Sequence, residues 1–155
     1  MNRVLRRLAN EMGLGSPAKD RLRLEFGYAC VNRVAHLIEN PAVAGCVASL
    51  ADFLAGKIDC SDLAPIAEKA AALANQHEGS KSIDGCGHAA VSATYAVANA
   101  IAGKAIETAE YAAYATVYGQ GGYAAVSNRE SFQPEFDWQV DCLKELNQRR
   151  SINTH

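Results

Sequence analysis

The residues with the most reactive chemistry in this sequence are Cys86-Gly87-His88. A thiol near a helix N-terminus has a lowered pKa, and an imidazole nearby can serve as its base. Residues two apart do not share a helix face, however. The spacing therefore favours a buried Cys86 and a hydrogen-bonded His88 over a catalytic pair. Adding Cys60 and His77 gives a zinc set without the C-x-x-C or H-x-x-x-H spacing that preorganises tetrahedral zinc. The reading is no metal and no cofactor. Walker A, G-x-S-x-G and H-E-x-x-H are all absent, and Gly119-Gln120-Gly121-Gly122 is a bare turn with no strand before it. These absences argue against the common NTPase and hydrolase classes. A small cysteine- or metal-dependent enzyme stays as an alternative, but the expectation is that the chain is not an enzyme.

Other side chains are suited to binding. Tyr111, Tyr114 and Tyr118 fall at i, i+3 and i+7, one stripe of a helix, with Tyr95 and Tyr123 nearby. Such a stripe either fills space beside small alanines or presents stiff, amphipathic rings to a partner. Charge is segregated. Residues 1–33 carry seven Arg/Lys against three acids, and residues 34–110 carry four against nine. Asp59, Asp62, Glu68, Glu78 and Asp84 gather around the two ends of one predicted helix and the start of the next. They are the predicted contact patch for a basic protein. The arginines of residues 3–23 alternate with Val4, Leu5, Leu8, Leu22 and Leu24, as on the outer faces of amphipathic helices. With a net charge of −2, no global basic field attracts nucleic acid. Trp138, the single tryptophan, is expected to anchor the last helix with its indole N–H paired.

The elements that position these groups read as helices. The 155 residues suit one domain. Alanine, at 29 residues, is the strongest helix former, and no period-2 run marks a strand. Helices are predicted over Asn2–Met12, Pro17–Glu39 with Ser16 as cap, Pro41–Gly56 and Asp62–Gln76. The last of these is capped by Asp59 or Ser61. Further helices run from Ser82 or Asp84 to Ala102, where Gly103 breaks the pattern, from after Gly103 to Tyr118, and from Pro134 to Arg149. Residues 1–15 are expected at the periphery and residues 151–155 frayed. The fold class is all-α, a compact single-domain bundle of six to seven antiparallel helices. Its second to sixth helices form the core, and its Ala-rich fourth to sixth are the inner scaffold. The five cysteines are an odd number with wide spacing and fit free thiols in a reducing cytosol. No apolar stretch follows the N-terminal arginines as in a signal peptide. Gly85–Gly103, 19 residues without Asp, Glu, Lys or Arg, holds too many small and polar residues for a membrane span.

Three stretches carry a family resemblance. The first is Tyr28-Ala29-Cys30-Val31-Asn32-Arg33-Val34-Ala35-His36-Leu37 with Phe53-Leu54-Ala55-Gly56-Lys57-Ile58-Asp59. The second is Gly87-His88-Ala89-Ala90-Val91-Ser92-Ala93-Thr94-Tyr95, leading to Glu110-Tyr111-Ala112-Ala113-Tyr114-Ala115. The third is Asp137-Trp138-Gln139-Val140-Asp141-Cys142-Leu143-Lys144. Together they resemble the Ala-rich, all-helical immunity proteins of bacterial toxin–immunity systems, over residues 22–147. The resemblance implies a cytoplasmic inhibitor that neutralises a cognate toxin by direct binding. One alternative partner is a subunit of a bacterial defence complex, inhibited by a phage- or mobile-element-borne protein. Another is a second copy of the chain, with the tyrosine stripe as self-contact.

Overall fold

The helical periodicity of the sequence is realised as seven α-helices in a computed structural model, which describes residues 1–76 and 86–153. They are α1 (Arg3–Glu11), α2 (Asp20–Val34), α3 (Pro41–Leu54), α4 (Cys60–Gln76), α5 (Cys86–Ile101), α6 (Ala105–Ser127) and α7 (Gln133–Asn153). Short 3-10 turns at Pro17–Lys19, Ala35–Leu37 and Arg129–Phe132 link some of them. No strand occurs among the described residues. The all-α bundle is as the composition predicts.

Local chemistry sets most helix ends. Asn2 caps α1 by accepting the Leu5 N–H, and Asn40 caps α3 from the Ala42 N–H with Pro41 in the first turn. Gly103 closes α5 at φ 77°, where the Lys104 N–H reaches back to the Asn99 carbonyl. The second helix is shorter than its periodicity suggests. Regular helix stops at Val34, the chain tightens to a 3-10 turn over Ala35–Leu37, and it is extended at Ile38 and at Asn40, the residue before Pro41. Ser16 makes no side-chain cap, and α2 starts later, at Asp20. The sixth helix runs past Tyr118 to Ser127, but bends at Gly122 (φ 62°, ψ −149°). That backbone is accessible essentially to glycine alone.

One buried cluster draws side chains from all seven helices. The most extensive contact is between α5 and α6, and α2 lies against both. Leu22, Phe26, Cys30, Val31 and Val34 of α2 are fully buried there. A Cβ on Gly27 would stand 3.2 Å from the Cα and Cβ of Ala100, so α2 and α5 cross almost backbone to backbone. The scaffold differs in one respect from the Ala-rich fourth-to-sixth set. Ala70 and Ala74 of α4 are buried, but Ala64, Ala71 and Ala72 face solvent. The innermost layer is α2, α5 and α6, which all pack on one another, whereas the main neighbours of α4 are α3 and α5. α1 sits on α7 with Leu5 and Ala9 buried, while Val4 is exposed.

Candidate protein-binding surface

Ring contacts fix the register of the two central helices. His88 stacks on Tyr118, with centroids 5.4 Å apart and planes at 26°. About two turns along α5, Tyr95 stacks on Tyr111 at 5.2 Å and 21°. The pairing climbs α5 as it descends α6, so the two helices are antiparallel. The Tyr95 hydroxyl, 3.0 Å from Oδ1 of Asn75, also ties this pair to α4.

From His88 the rings continue over the surface. The bend at Gly122 turns Tyr123 back, so that its ring meets His88 edge-on at 5.4 Å and Tyr118 at 6.0 Å. Tyr114 lies 6.4 Å from Tyr118 and meets Phe132 edge-on at 5.2 Å. Phe132 in turn adjoins Phe136 at 5.6 Å. Six rings from α5, both arms of α6, the 3-10 turn and α7 therefore form one cluster. Edge-on and offset pairs of this kind are each worth about 0.5–1.5 kcal/mol beyond area burial. The cluster is not sealed: Tyr114 and Tyr123 are 43% and 44% exposed. Tyr111 and Met1 are exposed as well. Under the bend, Ala113, Val117 and Phe132 make a small second core.

Beside Tyr114 the surface dips into a groove of about 620 Å³ between the N-terminus, α6, the 3-10 turn and α7. Phe132, Phe136 and Val126 give it apolar walls, with Arg3 and Arg129 also lining it. Glu110 lines it too, but its carboxylate is bound by Arg6 at 2.5 Å, which raises the Arg6 pKa further from its ordinary value.

Two sets of polar side chains tie the elements around the groove to one another and to α2. Asn2 donates to the Phe136 carbonyl and to Oε1 of Gln139, and Nε2 of Gln139 donates to the Ala109 carbonyl. Arg33 grips Glu135 through Nε and Nη2, and its guanidinium lies 4.2 Å above the Trp138 ring. The hydrogen bond to Glu135 also raises the Arg33 pKa. Trp138 is thus an anchor as expected, but through its ring face. Its indole N–H has no protein partner among the described residues. Neither polar set carries a sequence motif.

The predicted acidic patch is partly in view. Asp59 accepts the Ser61 N–H and hydroxyl, and Asp62 accepts the Asp59 N–H, a reciprocal cap on α4. The Ser61 hydroxyl bond is the main reason the Asp59 carboxyl is held below its ordinary pKa. Glu68 is exposed on the same helix, six residues from Asp62 and so about 120° around it. Lys69, nearly in line with Asp62, interrupts the acidic face. Glu78 and Asp84 lie outside the described residues, as does His77 of the zinc set. Cys60 is exposed at the start of α4. Burial pushes the Cys30 thiol well up, and Cys46 and Cys142 up less. No group of three or more His, Cys, Asp or Glu is placed to hold a metal among the described residues. No described helix is long and apolar enough to cross a membrane.

No family model matches this sequence, no curated protein does, and no solved structure matches its fold.

Proposed function

We propose that this chain is a non-catalytic protein-binding protein, an inhibitor of the immunity type that holds its partner on the aromatic face of α6. The observation that carries the reading is the ring cluster running from His88 to Phe136, with Tyr114 and Tyr123 open to solvent. Tyrosines that are packed on one side and exposed on the other supply large contact area at little entropic cost, which is what binding hot spots require. The resemblance to immunity proteins supplies the biological role: a bound toxin is blocked without chemistry by the inhibitor. The acidic residues Asp59, Asp62 and Glu68 then steer a basic partner from a distance.

The test uses a photo-reactive phenylalanine at position 114 to cross-link the partner in the source cell. The captured protein is then expressed alone and with this chain. The expected outcome is that the partner arrests growth alone and that co-expression restores it. A Tyr114→Ala/Tyr123→Ala variant, checked for helicity, should lose at least about ten-fold in protection, the size of one hot-spot loss. Full protection by that variant overturns the assignment of the surface. A wild-type dimer in light scattering that the same variant dissociates makes the face a self-contact, and overturns the inhibitor reading.

A further inference from the structure

The groove beside Tyr114 specifies the chemistry of what enters it. Its apolar residues, Tyr114, Phe132 and Phe136, suit an aliphatic or aromatic anchor. Its charges do not balance. Arg3 and Arg129 are exposed and have no ion-pair partner among the described residues. Of the nearby carboxylates, Glu110 is paired with Arg6 and Glu135 with Arg33, Asp137 accepts from the Gln133 amide, and Glu130, exposed on the same 3-10 turn as Arg129, makes no ion pair with it. Two free guanidiniums therefore flank an apolar trough on a protein whose net charge is −2. A basic ligand would meet like charge there, and a purely apolar one would gain nothing from either arginine.

We infer that the groove seats an acidic segment of a partner protein, an apolar anchor flanked by carboxylates. The anchor enters between Tyr114 and Phe136, and the carboxylates meet Arg3 and Arg129, which can bind them with two parallel N–H donors each. This deepens the protein-binding reading above and rests on it. It also divides the surface: the groove takes carboxylates, while Asp59 and Asp62, on α4, act on basic groups elsewhere.

The test uses two fluorescein-labelled hexapeptides, each with a central Leu-Trp pair. One is flanked by two glutamates on each side, the other by two lysines. Binding to the full chain is read by polarisation and by shifts of backbone amide resonances. The acidic peptide should bind about three- to ten-fold tighter than the basic one and move resonances of residues 110–114 and 126–136. Arg3→Glu/Arg129→Glu should abolish or reverse that preference, and added salt should weaken it. Equal binding of the two peptides, or an acidic preference untouched by the double charge reversal, overturns the inference. So does a failure of both peptides to shift groove resonances. The inhibitor reading is judged separately by growth protection: an Arg3→Glu/Arg129→Glu variant that protects fully, beside a Tyr114→Ala/Tyr123→Ala variant that does not, removes the acidic segment and keeps the inhibitor.

Discussion

Asn2 and Gln139 meet across 137 positions of sequence, with Nδ2 of Asn2 at 3.1 Å from Oε1 of Gln139. Both side chains are buried, and Gln139 passes the connection on to the Ala109 carbonyl. One amide therefore joins α1, α6 and α7, the elements around the groove. Its partners have no water to fall back on. Gln139→Ala should destabilise the fold by about 2–4 kcal/mol, since it leaves the Asn2 amide short of an acceptor and opens a cavity. Asn2→Ala should cost about 1–2 kcal/mol through the lost cap and the unpaired Gln139. Urea unfolding of the two single variants and the double should give a coupling of at least about 0.5 kcal/mol. Strict additivity would show that the contact contributes nothing.

Arg33 and Glu135 make a second tie, this one between α2 and α7. The Glu135 side chain is 3% exposed, so Arg33→Ala leaves a nearly buried carboxylate without its cation. The expected loss is about 1–3 kcal/mol, below that for a fully buried pair because the guanidinium is itself partly in water. Trp138 reports the change directly, as the sole tryptophan with Arg33 over its ring. Folded-state emission should shift in Arg33→Ala, and Glu135→Gln in that background should recover part of the stability. An unchanged midpoint and spectrum would contradict the pairing.

Gly122 governs where Tyr123 points. A Cβ is strained at φ 62° and ψ −149°, so Gly122→Ala should cost about 1–3 kcal/mol. Relief of that strain straightens the helix and carries Tyr123 away from His88. In a proton spectrum the ring-current shift of the His88 imidazole should then diminish. Retention of both the shift and the stability would mean that the bend does not depend on glycine.

Asp59 offers a pH test with a definite sign. Its folded pKa is depressed, chiefly by the Ser61 hydroxyl. Its contribution to stability is thus present above the unfolded value and is lost as pH falls through the folded one. The carboxylate is exposed, so solvent screening keeps the effect small, and the titration itself is the better observable. Carbon-detected titration should place Asp59 below an ordinary aspartate, and Ser61→Ala should move it back up. A titration unmoved by Ser61→Ala would remove the hydroxyl as the cause.

Features legible in the sequence are those decided by neighbours along the chain. Asn40-Pro41 marks a helix start because cap and first-turn geometry are local. The stops at Gly56 and Gly103 are local for the same reason, and the bend at Gly122 falls in the turn expected of Gln120-Gly121-Gly122. The inward residues Leu22, Phe26, Cys30 and Val34 follow from the 3.6-residue period, and all four are buried. The stripe Tyr111, Tyr114 and Tyr118 is legible too, as a spacing. That Phe132 lies buried beside it is not, because a polar-looking connection, Asn128–Gln133, conceals it. Nor does periodicity show that α2 rather than α4 fills the innermost layer. An alanine-rich helix has no strong apolar face, so its burial depends on what stands on either side.

That this chain is helical, where most of its helices begin and end, and which faces turn inward can all be read from residue order. Those outcomes rest on backbone propensity, capping and period, all effective within a few residues. Helix packing, in contrast, is what brings His88, Tyr114, Tyr118, Tyr123, Phe132 and Phe136 onto one surface. Only it decided that Arg3 and Arg129 flank the same groove while Glu110 is taken by Arg6. Those outcomes depend on helix crossings and on the bend at Gly122. There, contacts between residues far apart in sequence, made by small side chains that let the helices come close, outweigh local preference.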